Sequence, residues 1–104
     1  GGGKILVTSV ENNSEPVSSF RLEQNYPNPF IPKTVIRYTI PERNQTSIKI
    51  YDILGREILT LINEVKNGGS HSVNLNGINL ASGIYFYRIE SGKYSSVRKM
   101  TLMK

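Results

Sequence analysis

The chain contains few side chains that could carry out chemistry. His71 is the single histidine, it lies beside a glycine-rich segment, and there is no cysteine and little nearby acid to help it hold a metal ion. A structural or catalytic zinc site needs several such ligands together. The sequence therefore predicts no metal site and no cofactor, and it predicts that His71 is an ordinary surface residue.

The eight acidic side chains do not form a recognisable catalytic or calcium-binding pattern. Two carboxylates that converge in space can cleave glycosidic bonds, but most of these stand at predicted turns or strand ends, where solvated charge is the usual finding. Glycine-rich phosphate loops are missing, as is the strand–helix–strand setting that they need. We therefore predict that the chain is not an enzyme. The carboxylates belong to Glu11, Glu15, Glu23, Glu42, Asp52, Glu57, Glu64 and Glu90.

Tyrosine side chains on an outward sheet face could stack on sugars. Tyr51 with Tyr85 or Tyr87 would be the platform of such a glycan-binding module, although packing between neighbouring strands is the favoured interpretation. Basic residues are spread along the chain without an aromatic-interleaved recognition motif, so nucleic acid is not predicted as a partner.

One segment has an unbalanced charge. From Lys93 to Lys104 there are four cations and no acidic side chain, within a chain of net charge +5. Lysines on an edge strand protect it against pairing with other edges. A basic chain end is also a segment that a receptor can capture. The sequence leaves both interpretations open.

The elements that position these residues are predicted to be strands. A chain of 104 residues fits one domain, and its glycine, proline and tyrosine content favours short strands separated by turns. Ile36, Tyr38 and Ile40 alternate with polar residues as in a strand that is buried on one face. The aromatic run Tyr85–Tyr87 predicts a strand in the middle of a sheet. The predicted strands, about seven, cover residues 20–24, 35–40, 46–53, 57–62, 71–75, 84–89 and 93–103.

The connections between these strands are predicted from proline and glycine. Two prolines in residues 25–30 indicate a rigid corner, and Gly55 suits a tight reversal in a hairpin. Residues 63–70 are predicted to form an exposed loop. A change in the phase of apolar residues predicts a bulge or a change of sheet near Lys99.

Several motifs together resemble a known family. Tyr-Pro-Asn-Pro-Phe at residues 26–30, Ile-Arg-Tyr-Thr-Ile-Pro at 36–41 and Ile-Tyr-Asp-Ile-Leu-Gly-Arg-Glu at 50–57 are followed by Ser-Gly-Ile-Tyr at 82–85, Gly92 and Arg-Lys-Met-Thr-Leu-Met-Lys at 98–104. This order resembles the type A carboxy-terminal sorting domain of the bacterial type IX secretion system. The resemblance runs from Phe20 to Lys104.

The resemblance implies an all-β, immunoglobulin-like sandwich of about seven antiparallel strands that ends a secreted cargo protein. The domain would direct its fused cargo through the periplasm to an outer-membrane translocon, with shuttle proteins as further partners. A sortase-like cell-surface protease would then remove it and could join the cargo to an anionic lipopolysaccharide. The cargo would end up secreted or at the cell surface.

The same resemblance assigns roles to residues. Residues 20–104 would form the sorting domain, and residues 1–19 a linker with a tag remnant or the end of the cargo region. The final strand would be recognised, with Gly83 and Gly92 serving turns and Lys99 and Lys104 acting through charge. The full recognition set is Gly83, Gly92, Arg98, Lys99, Leu102 and Lys104. The cleavage linker consists of Glu11, Asn12, Asn13, Ser14, Glu15, Pro16, Val17, Ser18 and Ser19.

The sequence leaves two alternative functions open. The sequence is also similar, more weakly, to the immunoglobulin-like domain of flagellar hook-capping proteins, which is a structural assembly module. An accessory glycan-binding module of a secreted hydrolase is the second alternative, because a fold does not fix a function.

Overall fold

The structure is a computed structural model that describes residues 19–104. Seven strands make up the regular structure of this part. None of the described residues belongs to a helix that is long and apolar enough to span a membrane. The strands are β1 (Arg21–Leu22), β2 (Lys33–Ile40), β3 (Asn44–Tyr51), β4 (Glu57–Lys66), β5 (Gly69–Asn76), β6 (Gly83–Ser91) and β7 (Tyr94–Leu102).

The strands form two antiparallel sheets that face each other. One sheet has the order β1-β2-β5 and the other the order β4-β3-β6-β7. Seven antiparallel strands in two packed sheets form an immunoglobulin-like sandwich, so the predicted fold class is confirmed. The core between the sheets consists of Leu22, Phe30, Ile36, Tyr38, Ile40, Ile48, Ile50, Leu75, Tyr85, Tyr87, Ile89, Met100 and Leu102.

The alternation of apolar residues explains which face of each strand is buried. Ile36, Tyr38 and Ile40 of β2 are at most 1% exposed, because side chains two apart point to the same face of a sheet. In β6, Tyr85 and Tyr87 face the core while Phe86, on the opposite face, is half-buried. As predicted from its aromatic run, β6 lies inside its sheet, between β3 and β7.

Three local predictions were wrong. The predicted first strand is shorter than residues 20–24: Arg21–Leu22 form β1, and the N–H of Glu23 adds one backbone hydrogen bond to Arg37. The predicted loop at 63–70 is short, because β4 continues to Lys66 and β5 begins at Gly69; the polar residues of β4 lie on an edge strand, where they are solvated. The register between β6 and β7 is continuous past Lys99. The register shifts occur instead between β3 and β4.

The proline-containing corner after β1 is fixed by buried polar groups. Asn25 is 2% exposed, and its side-chain amide donates to Oγ1 of Thr34 at 3.0 Å and to the carbonyl of Pro27 at 3.1 Å. The hydroxyl of Tyr87 accepts from the backbone N–H of Asn25 at 2.8 Å and donates to the carbonyl of Glu23 at 2.6 Å. These bonds join the corner to the second sheet, since Tyr87 belongs to β6.

Candidate functional site

The candidate site is the final strand, β7, which lies at an edge of the four-stranded sheet. Met100 and Leu102 face the core and are at most 1% exposed. The alternate residues of the strand, among them Val97 and Lys99, therefore point to the outer face of the sheet. Because Phe86 and Arg88 of β6 pair with Lys99 and Val97 respectively, these four side chains share that face.

The second half of β7, which ends at Leu102, is covered by the proline-containing corner, residues 25–30. Phe30 forms a parallel bridge with Leu102: its N–H donates to the carbonyl of Thr101 at 3.0 Å, and its carbonyl accepts from the N–H of Met103 at 3.0 Å. The side chain of Asn28 accepts from the N–H of Thr101 at 3.0 Å. The backbone of β7 near Lys104 is thus already paired.

Two of the predicted recognition residues occupy turns or strand ends. Gly92 lies in the turn between β6 and β7 with φ of +57°, and a Cβ added there would lie 2.2 Å from Nδ2 of Asn44. Gly83 begins β6 with φ of +148° and has open space around it. Left-handed backbone favours glycine at both positions. Their role in the structure is conformational, as expected for turns.

Leu102 is a core residue. It is 1% exposed, and a Cβ added at Gly77 would lie 3.1 Å from its Cδ2 and 3.2 Å from Cε2 of Phe30. Close packing of this kind leaves the side chain no accessible surface to offer a partner. Leu102 therefore positions the end of β7 and presents no side chain for direct contact.

The predicted cations separate into two groups. Nε of Arg98 donates to the carbonyl of Leu22 at 2.6 Å and so ties β7 to the strand across the sandwich. Lys99 is exposed on the outer face, and its backbone carbonyl accepts from the side chain of Gln24 at 2.7 Å. Nζ of Lys104 lies 3.3 Å from the carbonyl of Ile78. Lys99 and Lys104 are thus the accessible charges at this end of β7.

The predicted cleavage linker lies mostly outside the described residues. Residues 11–18 are not described, and Ser19 is exposed. The ring of Phe20 stacks on Tyr94, with centroids 5.1 Å apart, so the chain enters the sandwich at the Tyr94 end of β7. From Tyr94 to Leu102, β7 is nine residues long, a span of about 27 Å for an extended strand.

Other sequence candidates contribute no site. His71 is half-buried, and its ring stacks on Tyr38 with centroids 5.3 Å apart. Within residues 19–104, no three acidic or histidine side chains are grouped so that they could hold a metal ion. Tyr85 and Tyr87 are 8% and 0% exposed, so the tyrosine platform proposed for sugars is wrong for these two residues. They face the core because they share a phase with Ile89.

The outer face of the four-stranded sheet carries an apolar groove that sequence reasoning missed. It has a volume of about 310 Å³, and its lining includes Tyr51, Phe86, Arg88 and Val97. Val97 is 52% exposed. The sequence did indicate that Val97 lies on the opposite face of β7 from Met100, because residues alternate between faces. The residues that lie next to Val97 on that face follow only from the pairing of β7 with β6.

The turn between β3 and β4 presents apolar side chains on a rigid frame. Ile53 and Leu54 are 69% and 73% exposed. The carboxylate of Asp52 accepts from the backbone N–H groups of Leu54 and Arg56 at 2.9 and 3.0 Å, and from Nε of Arg56 at 2.8 Å. The backbone hydrogen bond from Arg56 contributes most to lowering the pKa of Asp52, because it stabilises the charged form.

Two buried tyrosines have altered acidity. Burial raises the pKa of Tyr87 to about 12, and burial also raises the pKa of Tyr38. A phenol in a low-dielectric core resists ionisation because its anion loses hydration. Both hydroxyls are therefore neutral at physiological pH.

Comparison with known proteins identifies the family. Residues 24–103 match the family described as the secretion system C-terminal sorting domain. The chain belongs to this family. As a sorting domain it is a signal of the type IX secretion system, which implies interaction with that system and export to the cell surface or beyond. Sorting domains of this family are in general non-catalytic.

The fold is similar to part of a solved structure. The sorting domain superposes on PorZ of Porphyromonas gingivalis, described as an essential bacterial surface component of the type IX secretion system, with a TM-score of 0.51 and 20% identity over 90% of this chain. The chain spans 13% of the length of that PorZ chain. The Ig1 domain of mouse SynCAM 2 matches 69% of this chain, and 81% of its own, with 10% identity and a TM-score of 0.38. No curated protein matches the chain.

Proposed function

We propose that the Lys99–Lys104 end of β7 is the part of the sorting domain that the translocation machinery recognises. The observation that carries this proposal is that Lys99 and Lys104 are exposed on either side of Thr101 and Met103, whose outward backbone groups bond to Phe30. Recognition at this end therefore proceeds through side chains, and the accessible side chains are cationic. An acidic surface on the translocon or on a shuttle protein would be complementary.

The remaining predicted recognition residues support this surface from within the fold. Gly83 and Gly92 set the two ends of β6, Arg98 ties β7 to β1, and Leu102 anchors the strand in the core. We assign them positioning roles, because none offers a free charged group at the surface near Lys104.

In the cell, cargo fused before residue 20 would pass through the periplasm and cross the outer membrane by the type IX translocon. A sortase-like surface protease would then cut between Glu11 and Ser19 and could transfer the cargo to an anionic lipopolysaccharide. Two observations support this arrangement. The first paired strand begins at Arg21, so a cut there leaves the sandwich intact, and the entry point lies at the opposite end of β7 from Lys104.

The recognition surface is tested with an exported reporter fused to residues 11–104 in a bacterium that has this secretion system. The double variant Lys99→Gln with Lys104→Gln removes the two charges. The double variant Lys33→Gln with Arg37→Gln is the matched control, because it removes two exposed positive charges from β2, in the other sheet. Point variants are preferable to truncation before Lys99, which would also remove buried Met100 and Leu102.

We expect the first variant to retain the reporter inside the cell and the control to release it as the unaltered chain does. Equal release by both variants would show that these two charges are not the recognition element. Mass spectrometry of the released reporter locates the cut, which we expect between residues 11 and 19; a cut inside the sandwich would contradict the assigned linker.

A further inference from the structure

The first half of β7 has an open backbone edge. Because residues 100 and 102 bond to β6 and Thr101 bonds outward to the corner segment, the alternation of an antiparallel ladder directs the N–H and C=O groups of Ser95 and Val97 away from β6. No hydrogen bond to these groups is formed by the residues that the structure describes. This open edge differs from the second half of the strand, which Phe30 covers.

Natural edge strands are usually blunted by bulges, by proline or by a covering segment. β7 has none of these in its first half: its pairing with β6 is regular from Tyr94 to Leu102, and its sequence contains no proline. Lysine is the one protective feature present. Its positive charge disfavours pairing with a cationic strand but not with an acidic one. Two copies of this edge would bring Arg98 and Lys99 against the same cations, which disfavours pairing between copies.

Charge and shape at this edge favour an acidic partner. Lys93, Arg98 and Lys99 flank the open groups, and none of them forms an ion pair within residues 19–104. The nearest acidic side chain along the chain, Glu90, is already paired with Arg88 at 2.9 Å. On the outer face, Val97 lines the apolar groove together with Phe86.

We propose that an extended acidic segment of another protein adds to β7 as a fifth strand of the sheet. Its backbone pairs with Ser95 and Val97, as in other cases of strand addition. On the outer face, an apolar side chain of the segment stands beside Val97 and Phe86, and a carboxylate two residues away stands beside Lys99. This inference goes beyond the proposed function, because it concerns the open first half of β7 and a backbone-mediated contact. Lys99 is the one residue that the two share.

The binding test uses residues 11–104 and a blocked synthetic peptide in which threonine alternates with valine and glutamate. A second peptide has lysine in place of glutamate. We expect the acidic peptide to shift the amide resonances of Ser95, Val97 and Lys99 and to slow their hydrogen exchange. The lysine peptide should bind at least about tenfold more weakly. Absence of binding by both peptides at millimolar concentration, or shifts centred on Ile53 and Leu54, would overturn the inference.

Two variants separate the backbone from the side chain. Val97→Pro removes an N–H that points away from β6, so the existing ladder is kept, and edge positions tolerate proline. It should weaken the acidic peptide at least about tenfold, whereas Val97→Thr, which keeps the N–H, should bind within about threefold of the unaltered chain. Equal binding by the two variants would overturn strand addition.

A charge reversal keeps the test decisive if Val97→Pro does not fold. Lys99→Glu changes only an exposed side chain and should narrow the preference for the acidic peptide, because Lys93 and Arg98 remain. An unchanged preference would overturn the electrostatic part of the inference. The reporter assay distinguishes this inference from the proposed function. Export that survives loss of the Lys99 and Lys104 charges rejects the proposed function alone. Failure of both peptides to bind rejects strand addition alone.

Discussion

Replacing Tyr87 with phenylalanine removes a single oxygen that joins the two sheets of the sandwich. That oxygen accepts from the N–H of Asn25 and donates to the carbonyl of Glu23, and the ring is 0% exposed. Phenylalanine fills the same space, so no cavity forms. The buried N–H of Asn25 loses its partner, and the carbonyl of Glu23 loses a hydrogen bond near the surface. Together these losses should lower the free energy of unfolding by about 2 kcal/mol.

For a domain of this size, 2 kcal/mol corresponds to a fall in Tm of about 10 °C. Urea denaturation followed by circular dichroism measures the free energy, and an unchanged m-value shows that the same surface is exposed on unfolding. Tyr38→Phe is the matched control, because the hydroxyl of Tyr38 is buried without a hydrogen-bond partner among the described residues. It should be neutral or stabilising. If both variants lose the same free energy, the bridging role assigned to Tyr87 is wrong.

Four further outcomes are expected. Gly92→Ala should lose about 1–2 kcal/mol of stability, since it combines a φ of +57° with a Cβ 2.2 Å from Asn44; Gly55→Ala, with open space, should lose less in the same urea titration. Leu102→Ala should cost about 2–5 kcal/mol, and retention of full stability would contradict its buried position. Between pH ~10 and 12, stability should fall, because the unfolded tyrosine ionises near pH 10 while the pKa of folded Tyr87 is about 12; Tyr87→Phe should flatten this fall. The lowered pKa of Asp52 stabilises the fold at pH values above the ordinary pKa of an aspartate, and this contribution is lost as the pH falls through the pKa of the folded state. Carboxyl NMR titration should show that Asp52 has a pKa below the ordinary aspartate value.

Much of the architecture follows from local sequence. The alternation in Ile36, Tyr38 and Ile40 defined a one-sided strand without reference to any other part of the chain, because the period of a strand is two residues. The aromatic run around Phe86 indicated an interior strand, because consecutive large apolar side chains suit a strand that is covered at least partly on both faces. The turn at Gly92 was also predicted from the sequence, since few residues other than glycine adopt the positive φ found there.

The end of the final strand shows where local pattern is insufficient. Lys99 and Leu102 belong to one basic, apolar segment, and the family resemblance named both for recognition. Only the packing of Leu102 against Phe30, some seventy residues away in sequence, separates the buried anchor from the exposed charge. Such contacts depend on how the two sheets meet, which the pattern of one strand does not specify.

The sequence by itself determined the fold class, the family and the basic character of β7, because these depend on periodicity, motif order and composition. The tertiary structure decided which backbone groups of β7 are free. Half of that edge is paired with residues 28–30 and half is open, and this division arises from the corner that brings the start of the domain against its last strand. Hydrogen-bond pairing between segments far apart in sequence is a property of the folded chain, and no single segment encodes it.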